Sequence, residues 1–197
     1  SMPETPIFGG TKHWMAAMPF VAVHAGRGED SCGRAVAVAM AGHGPLSSLG
    51  ARVAAIGILA AATTLPALTA SIENASYGPA YYNELIGSYR GAADARMMRQ
   101  FWGFASRYTL DWLNENAEPR SRVWTHNTTS YAWDAYHRDD LVRDDLRASS
   151  LRSSDFALYH QQKAFVYLLT DVWERYRTKT PVHVVDVDGV PLLSVYR

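Results

Sequence analysis

The segment that most constrains this chain covers residues 53–72, where no charged side chain occurs between Arg52 and Glu73. As an α-helix with a rise of about 1.5 Å per residue, it would span about 30 Å, the thickness of a bilayer's hydrocarbon core. The segment therefore predicts a transmembrane helix. Its run of alanines at residues 60–62 favours close packing against other helices. A buried helix of a soluble domain is the alternative interpretation.

Hydropathy and charge divide the chain near this segment. Most strongly apolar sequence lies before residue 73, and most charge lies after it. The formal net charge of zero argues against a nucleic-acid partner. The single cysteine, Cys32, belongs to no Cys/His cluster, so no metal site or cofactor is expected. We predict a helical, membrane-associated segment over residues 1–72 and a small soluble α/β domain over residues 73–197.

The N-terminal segment has a second apolar stretch. A basic and aromatic cluster, Lys12-His13-Trp14, precedes an apolar helix candidate at residues 15–25, which Gly26 and Arg27 are predicted to close. Lysine and tryptophan at one end and arginine at the other are typical of interfacial anchors. The glycine-rich, basic residues 27–52 predict a cytoplasmic connector, with the chain after Glu73 outside the membrane.

The rest of the chain predicts a mixed α/β (α+β) domain that ends in a β-hairpin. Predicted in order are an aromatic loop at 77–91, helices at 92–116, 131–137 and 161–176, and strands at 121–125, 155–160, 182–187 and 190–196. Asp188-Gly189 between the last two strands is a strong hairpin signal. The repeat RDDLVRDDL at residues 138–146 predicts a self-neutralising surface loop.

Several motifs occur in an order that resembles a known family. They are FGGTKHW, an apolar MPF run, YYNELIG, RGA, FWGFASRYTLDWLNENA and a valine-rich strand. In this order they resemble the C-terminal portion of bacterial GT-C membrane glycosyltransferases, of the protein O-mannosyltransferase and aminoarabinose-transferase type. The resemblance is clearest over residues 7–125. It departs from the family pattern at Ala16, where proline is common, and at Gly87-Ser88, where a Gly-Gly pair is common.

The resemblance implies a sugar transferase of the bacterial inner membrane that uses a polyprenyl-phosphate sugar donor, with its C-terminal domain on the periplasmic or extracellular side. The family's catalytic carboxylate lies in an extracytoplasmic loop of an N-terminal half that this sequence does not include. We therefore expect part of an enzyme that needs that half as a partner and is inactive alone. The alternative is a soluble α/β binding or interaction module in which residues 53–72 form a core helix.

Two groups of residues are candidates for the substrates that the resemblance implies. Lys12 and His13 are predicted to bind the donor phosphate, because fixed cations stabilise the charge of a leaving phosphate. Their alternative roles are a snorkelling lysine and a helix cap. A second group is predicted to bind the sugar or the acceptor, since aromatic faces stack on sugars and amides bond to hydroxyls. It comprises Tyr81, Tyr82, Asn83 and Glu84, with a ligand-free aromatic belt as the alternative.

The remaining polar residues are predicted to be structural. Asp111 is predicted to lie on the solvated side of its helix. The hairpin accounts for Asp186, Asp188 and Gly189 without a calcium site. Four histidines lack metal-ligand spacing and are interpreted as separate structural residues. They are His126, His137, His160 and His183.

Overall fold

A computed structural model describes residues 18–41, 48–100 and 103–197 of the chain. The chain divides into two compact units, Ser1–Ala75 and Ser76–Arg197, whereas the sequence predicts the division between residues 72 and 73. Helices come first and a small mixed sheet with helices follows. The predicted α+β layout is therefore confirmed.

In the described part of the first unit there are two long helices, α1 (Met18–Ala41) and α2 (Ser48–Glu73). They pack against each other in antiparallel fashion. Gly33 of α1 lies against Ile56 of α2, and Thr63 of α2 donates a hydrogen bond of 2.9 Å to the Glu29 carboxylate. A Cβ atom on Gly33 would lie 2.5 Å from Cγ1 of Ile56. Glycine at this position is what lets the two helices approach.

The predicted connector at residues 27–52 is wrong, because α1 continues to Ala41. Gly26 and Gly28 do not end the helix. Each costs about 1 kcal/mol relative to alanine, which packing and local ion pairs can offset. One such pair joins Arg34 to Asp30 one helical turn away at 2.5 Å. Residues 1–17, including part of the first predicted helix, lie outside the described residues.

Among the described helices, one segment is long and apolar enough to cross a membrane. It is Val53–Glu73, with 21 residues, a mean hydropathy of 1.8 and 6% of its residues buried. α1 differs because it carries four charged residues between positions 27 and 34. The prediction of more than one membrane-type helix is therefore not met in the part of the chain that the structure describes.

The second unit is built on a five-stranded sheet with the order β2-β1-β3-β5-β4. Its strands are β1 (Arg122–Trp124), β2 (Arg147–Ala148), β3 (Phe156–His160), β4 (His183–Val187) and β5 (Val190–Tyr196). β1 is parallel to β2 and β3, whereas β5 is antiparallel to β3 and β4. The predicted C-terminal hairpin is confirmed, as are the predicted strands that correspond to β1 and β3.

Within residues 76–100 and 103–197, four α-helices accompany the sheet. They are α3 (Ser88–Asp94), α4 (Leu110–Asn116), α5 (Ser130–Arg138) and α6 (Leu168–Tyr176). All residues of β3 are buried, which is typical of a strand covered on both faces. Leu158 packs on one face in the cluster that includes Leu113 of α4, and Tyr159 packs on the other face with Val172 of α6.

Two helices predicted in this unit have different bounds in the structure. The helix predicted at 92–116 is interrupted: α3 ends at Asp94, a 3-10 helix covers Phe104–Thr109, and α4 begins at Leu110. Arg96 and Gly103 adopt positive φ angles of 56° and 67°, which end regular helix. The helix predicted at 161–176 begins at Leu168 instead, because the backbone N–H of Gln161 still bonds to Leu192 of the sheet.

Candidate functional site

The predicted sugar-binding residues lie at the start of the second unit. Tyr81 precedes a 3-10 turn, Glu84–Ile86, and its hydroxyl donates a hydrogen bond to the Glu84 carboxylate. This bond lowers the pKa of the Glu84 carboxyl. The Tyr82 hydroxyl donates to the carbonyl oxygen of Met98 at 2.9 Å. The side chain of Asn83 is exposed. The backbone carbonyl oxygen of Asn83 accepts hydrogen bonds from two backbone N–H groups, which stabilise the turn.

Lys12 and His13, the predicted phosphate-binding residues, lie outside the described residues. Their role therefore stays a prediction.

Tyr81 belongs to a group of four tyrosines, Tyr77, Tyr81, Tyr89 and Tyr108, which we call the tyrosine cluster. The rings of Tyr81 and Tyr89 meet edge to face at 5.7 Å, and those of Tyr77 and Tyr108 lie 4.7 Å apart. The Tyr108 hydroxyl donates to the carbonyl oxygen of Ser76. Tyr89 belongs to the hydrophobic core, and Tyr77 and Tyr81 pack against it.

Tyr89 is the buried member of the tyrosine cluster. Its ring is 4% exposed, and its hydroxyl has no hydrogen-bond partner among the described residues. Burial, with a smaller contribution from the negative charge of Asp188, raises the pKa of Tyr89 to about 12. The hydroxyl therefore stays protonated at neutral pH and is a hydrogen-bond donor.

The turn of the β4–β5 hairpin brings two carboxylates to the tyrosine cluster. Asp188 and Gly189 both have positive φ, as a two-residue hairpin turn requires, and the Gly189 N–H donates to the Asp186 carboxylate at 3.0 Å. Nε of Arg90 on α3 donates to the carbonyl oxygen of Asp188 at 2.6 Å. Sequence reasoning identified this turn but not its proximity to the tyrosines.

Gly91 allows α3, which contains Tyr89 and Arg90, to lie close to the turn that precedes it. A Cβ atom on Gly91 would lie 1.7 Å from the carbonyl oxygen of Ile86. The turn that contains Glu84 and the first part of α3 can therefore be this close only with glycine at position 91.

A second group of polar residues lies at the carboxyl ends of the parallel strands β1 and β3. We call it the strand-end cluster: Gln100, Gly103, His126, Asn127 and His160. Nε2 of His160 lies 3.2 Å from the carbonyl oxygen of Gly103, and Nδ1 of His126 accepts the backbone N–H of His160 at 3.4 Å. A Cβ atom on Gly103 would lie 2.3 Å from the carbonyl oxygen of Asn127.

The strand-end cluster contains several unsatisfied polar atoms. Within the described residues, the side-chain amide of Gln100, Nδ2 of Asn127 and Nδ1 of His160 are buried without a hydrogen-bond partner. Gln100 and His160 are fully buried. Such atoms cost about 1–3 kcal/mol each when they stay unpaired. The carboxyl ends of parallel strands are also where open α/β sheets bind ligands.

The two histidines of this cluster act as neutral groups. Burial lowers the pKa of His126 to about 4. Burial, and secondarily the charge of His126, lowers the pKa of His160 to about 3. The His126 ring is stacked on Trp124 at 4.8 Å and on Tyr159 at 5.7 Å. At neutral pH both rings therefore offer hydrogen bonds and no positive charge.

The interpretation of all four histidines as separate residues is wrong for this pair, whose rings lie 5.8 Å apart. Each of the two lies at or just after the end of a strand that was predicted from the sequence, a signal that could have linked them. The other two are structural: His137 bridges the carbonyl oxygens of Trp133 and Leu146, and His183 stacks on Trp112 at 5.0 Å.

No family model, curated protein or solved structure matches this chain.

Proposed function

We propose that this chain is the C-terminal part of a bacterial membrane glycosyltransferase that takes its sugar from a polyprenyl-phosphate carrier. In this proposal α2 crosses the inner membrane, and the second unit lies on the periplasmic or extracellular side. The observation that carries the proposal is the exposure of α2: among residues 53–73, which are mostly apolar, one residue, Ala55, is buried. A core helix of a soluble protein would be mostly buried, whereas a bilayer would cover these side chains.

The polar groups of α2 are compatible with a bilayer. Two of its hydroxyl groups donate to carbonyl oxygens one turn earlier in the helix: Thr69 to Leu65 at 3.0 Å and Ser71 to Ala67 at 2.7 Å. These bonds satisfy the hydroxyls without water, which a helix in a hydrocarbon core requires.

The tyrosine cluster supports the sugar-binding part of the proposal. Aromatic rings, the exposed Asn83 amide and the carboxylates of Glu84, Asp186 and Asp188 lie near one another in the second unit. Sugars are bound by this combination, because their C–H faces pack on rings and their hydroxyls bond to amides and carboxylates. We propose that Tyr81, Tyr82, Asn83 and Glu84 contact the sugar or the acceptor.

The proposal includes partners that supply the missing chemistry. In the resembling family the catalytic carboxylate belongs to the N-terminal half, so we propose that this chain acts with that half and with membrane lipid. Lys12 and His13 are the proposed contacts of the donor phosphate. Their test is sugar transfer by an enzyme that contains both halves, where Lys12→Ala and His13→Ala should lower the rate.

Fractionation of the full chain tests the membrane part. Expressed in bacteria, the chain should stay in the membrane pellet after an alkaline wash and be released by detergent. Ile58→Lys with Leu65→Lys should move it out of the membrane, because each lysine costs roughly 2.5–3.5 kcal/mol near the centre of a spanning helix. Thr170→Lys with Thr180→Lys, at exposed positions of the second unit, adds the same two charges as a matched control and should change nothing.

A different result would favour the alternative function. If the unmodified chain is monodisperse in buffer without detergent and unfolds as one unit, α2 is a core helix. The chain would then be a soluble binding or interaction module.

A binding assay tests the sugar part. The detergent-solubilised chain is titrated with a panel of short-chain polyprenyl-phosphate hexoses and pentoses, and binding is followed by tryptophan and tyrosine fluorescence. Asn83→Ala and Glu84→Gln should weaken binding of the preferred sugar, whereas Asn116→Ala and Glu115→Gln, at exposed positions of α4, should not. Equal binding by all four variants would argue against this site.

A further inference from the structure

A pocket of about 280 Å³ in the second unit collects positive charge. Its lining includes Arg96 and Arg99 from the segment after α3, and Lys163 from the segment after β3. Gln161 and Gln162 also line it, and none of the described residues in its wall is acidic. The pocket, which we call the cationic pocket, therefore carries three formal positive charges in a chain whose net charge is zero.

The three cations of the pocket have no carboxylate partner to neutralise them within the part of the chain that the structure describes. None of them forms an ion pair with a carboxylate in the described residues. A larger pocket of about 470 Å³ provides the contrast: Glu118 and Asp155 line it together with its arginines, and Arg197 pairs with Glu118 at 3.5 Å. The charge of the cationic pocket is thus left for a ligand to neutralise.

The backbone around Arg96 is held in a defined helix cap. The Arg96 N–H bonds to the Ala93 carbonyl oxygen at 3.0 Å, and the Met97 N–H bonds to that of Ala92 at 2.9 Å. This is the Schellman pattern, in which glycine is usual at the left-handed position. Arginine holds that position here, with φ of 56°.

The two segments that supply the cations are fastened to each other and to the fold. Nε2 of Gln162 donates to the carbonyl oxygen of Gln100 at 2.7 Å, which joins the Lys163 segment to the Arg99 segment. Nε2 of Gln161 donates to the Ser194 hydroxyl of β5 at 2.9 Å. The Tyr82 hydroxyl bonds to the Met98 carbonyl oxygen. The walls are therefore positioned before any ligand arrives, which lowers the entropic cost of binding.

The size and the remaining lining narrow the ligand class. The volume lies just below the roughly 300–1,000 Å³ of pockets for drug-sized ligands, so a small group fits. Two arginines and a lysine match the geometry and charge of a phosphate. Ala93, Met97 and Val166 form an apolar part of the wall, and Val166 is 56% exposed.

We propose that the cationic pocket binds a phosphate group, with Arg96, Arg99 and Lys163 as its contacts. The phosphate is either free, as inorganic phosphate or pyrophosphate, or attached to an apolar chain that continues along Met97 and Val166. The site does not depend on the proposed glycosyltransferase function, because a soluble module could use it equally.

The test is equilibrium binding of three probes to the full chain in detergent: inorganic pyrophosphate, farnesyl phosphate and farnesol. Saturable, salt-sensitive binding of the two phosphates, with none of farnesol, is expected. Tighter binding of farnesyl phosphate than of pyrophosphate identifies a lipid-linked phosphate, and equal or weaker binding identifies a free one. If neither phosphate binds saturably, the proposal is wrong.

Variants assign the binding to the pocket. Arg96→Gly is the sharpest, because glycine suits the left-handed cap position and should leave the melting temperature unchanged or higher while phosphate affinity falls roughly tenfold or more. Arg99→Gln and Lys163→Gln should act likewise. The triple variant Arg107→Gln, Arg152→Gln and Lys179→Gln removes three positive charges from exposed positions, more than any single pocket variant, and should still retain affinity.

Two results would overturn the assignment. One is unchanged affinity in Arg96→Gly together with a loss in Lys12→Ala, which would move the phosphate site to the first unit. The other is an equal loss in the pocket variants and in the exposed triple variant, which would show a diffuse charge effect.

Discussion

The guanidinium of Arg143 forms a two-point ion pair with the carboxylate of Asp145, with Nε and Nη2 each 2.9 Å from a carboxylate oxygen. The same guanidinium donates to the carbonyl oxygens of Asn114 and Ala117, at 3.0 Å and 2.9 Å. It thereby satisfies carbonyl groups at the end of α4, which lack partners within the helix. The charged repeat is therefore a surface loop, as predicted, but Arg143 also fastens that loop to α4.

Replacing Asp145 should change how stability responds to acid. Hydrogen bonds, first from Arg143 and then from the Arg120 N–H, lower the pKa of Asp145 from 3.8 to about 2. The Asp145 carboxyl therefore binds a proton more readily in the unfolded state than in the folded state. Its contribution to the free energy of unfolding is present above about pH 4 and is lost as the pH falls from about 4 to about 2. Asp145→Asn should lose this part of the acid dependence in urea unfolding at stepped pH. Parallel curves for parent and variant would contradict the assignment.

His160 should make the fold less stable in mild acid. Burial, then the charge of His126, lowers its pKa from 6.5 to about 3, so the unfolded state binds more protons between these values. The free energy of unfolding should therefore fall as the pH drops below about 6.5, by at most about 1.4 kcal/mol per pH unit from this group. His160→Gln, whose amide can still donate to Gly103, should have a shallower slope. An unchanged slope would show that His160 does not titrate in this way.

Gly91→Ala should strongly destabilise the second unit. The new methyl group would lie 1.7 Å from the Ile86 carbonyl oxygen, and backbone atoms cannot move away as a flexible side chain would. We expect a loss of about 3 kcal/mol or more in the free energy of unfolding. Gly78→Ala is the control, because nothing lies within 4 Å of its Cβ position, and it should change stability by less than about 1 kcal/mol. Similar melting temperatures for both variants would refute the close approach.

Tyr89→Phe should leave stability unchanged or raise it by up to about 1 kcal/mol. The substitution keeps the buried ring and removes a hydroxyl that has no partner among the described residues. Tyr108→Phe is the comparison, since that hydroxyl donates to Ser76, and it should lose about 1 kcal/mol. Chemical unfolding of the two variants separates these cases. An equal loss in both would mean that the Tyr89 hydroxyl is hydrogen-bonded.

Local patterns predicted several elements correctly for identifiable reasons. The Asp188-Gly189 turn, the strand at residues 155–160 and the short helix before Arg138 each follow from residues close together in sequence. The predictions failed where a glycine packs against a residue that is distant in sequence. Gly33 packs on Ile56 within a continuous helix, and Gly103 turns the chain where a helix was expected, because each faces an atom far away in sequence.

The same distinction between local and distant contacts separates the candidate sites that were predicted from those that were missed. The sequence predicted Tyr81 to Glu84 as a local group, and the Tyr81–Glu84 hydrogen bond joins residues three positions apart. The strand-end cluster and the cationic pocket were missed, because they join segments that follow different elements. Gln162 and Gln100, for example, are 62 positions apart and meet through one hydrogen bond.

By itself, the sequence determined the long apolar helix α2, the α+β layout after it, the C-terminal hairpin and the aromatic start of the second unit, since all depend on composition, periodicity and turn residues within short windows. The tertiary structure alone decided which glycines bend the chain, which histidines meet at the ends of β1 and β3, and that Arg96, Arg99 and Lys163 line one pocket. The physical reason is that burial, charge proximity and close backbone approach depend on strand order and helix packing, which bring together residues that no local pattern connects.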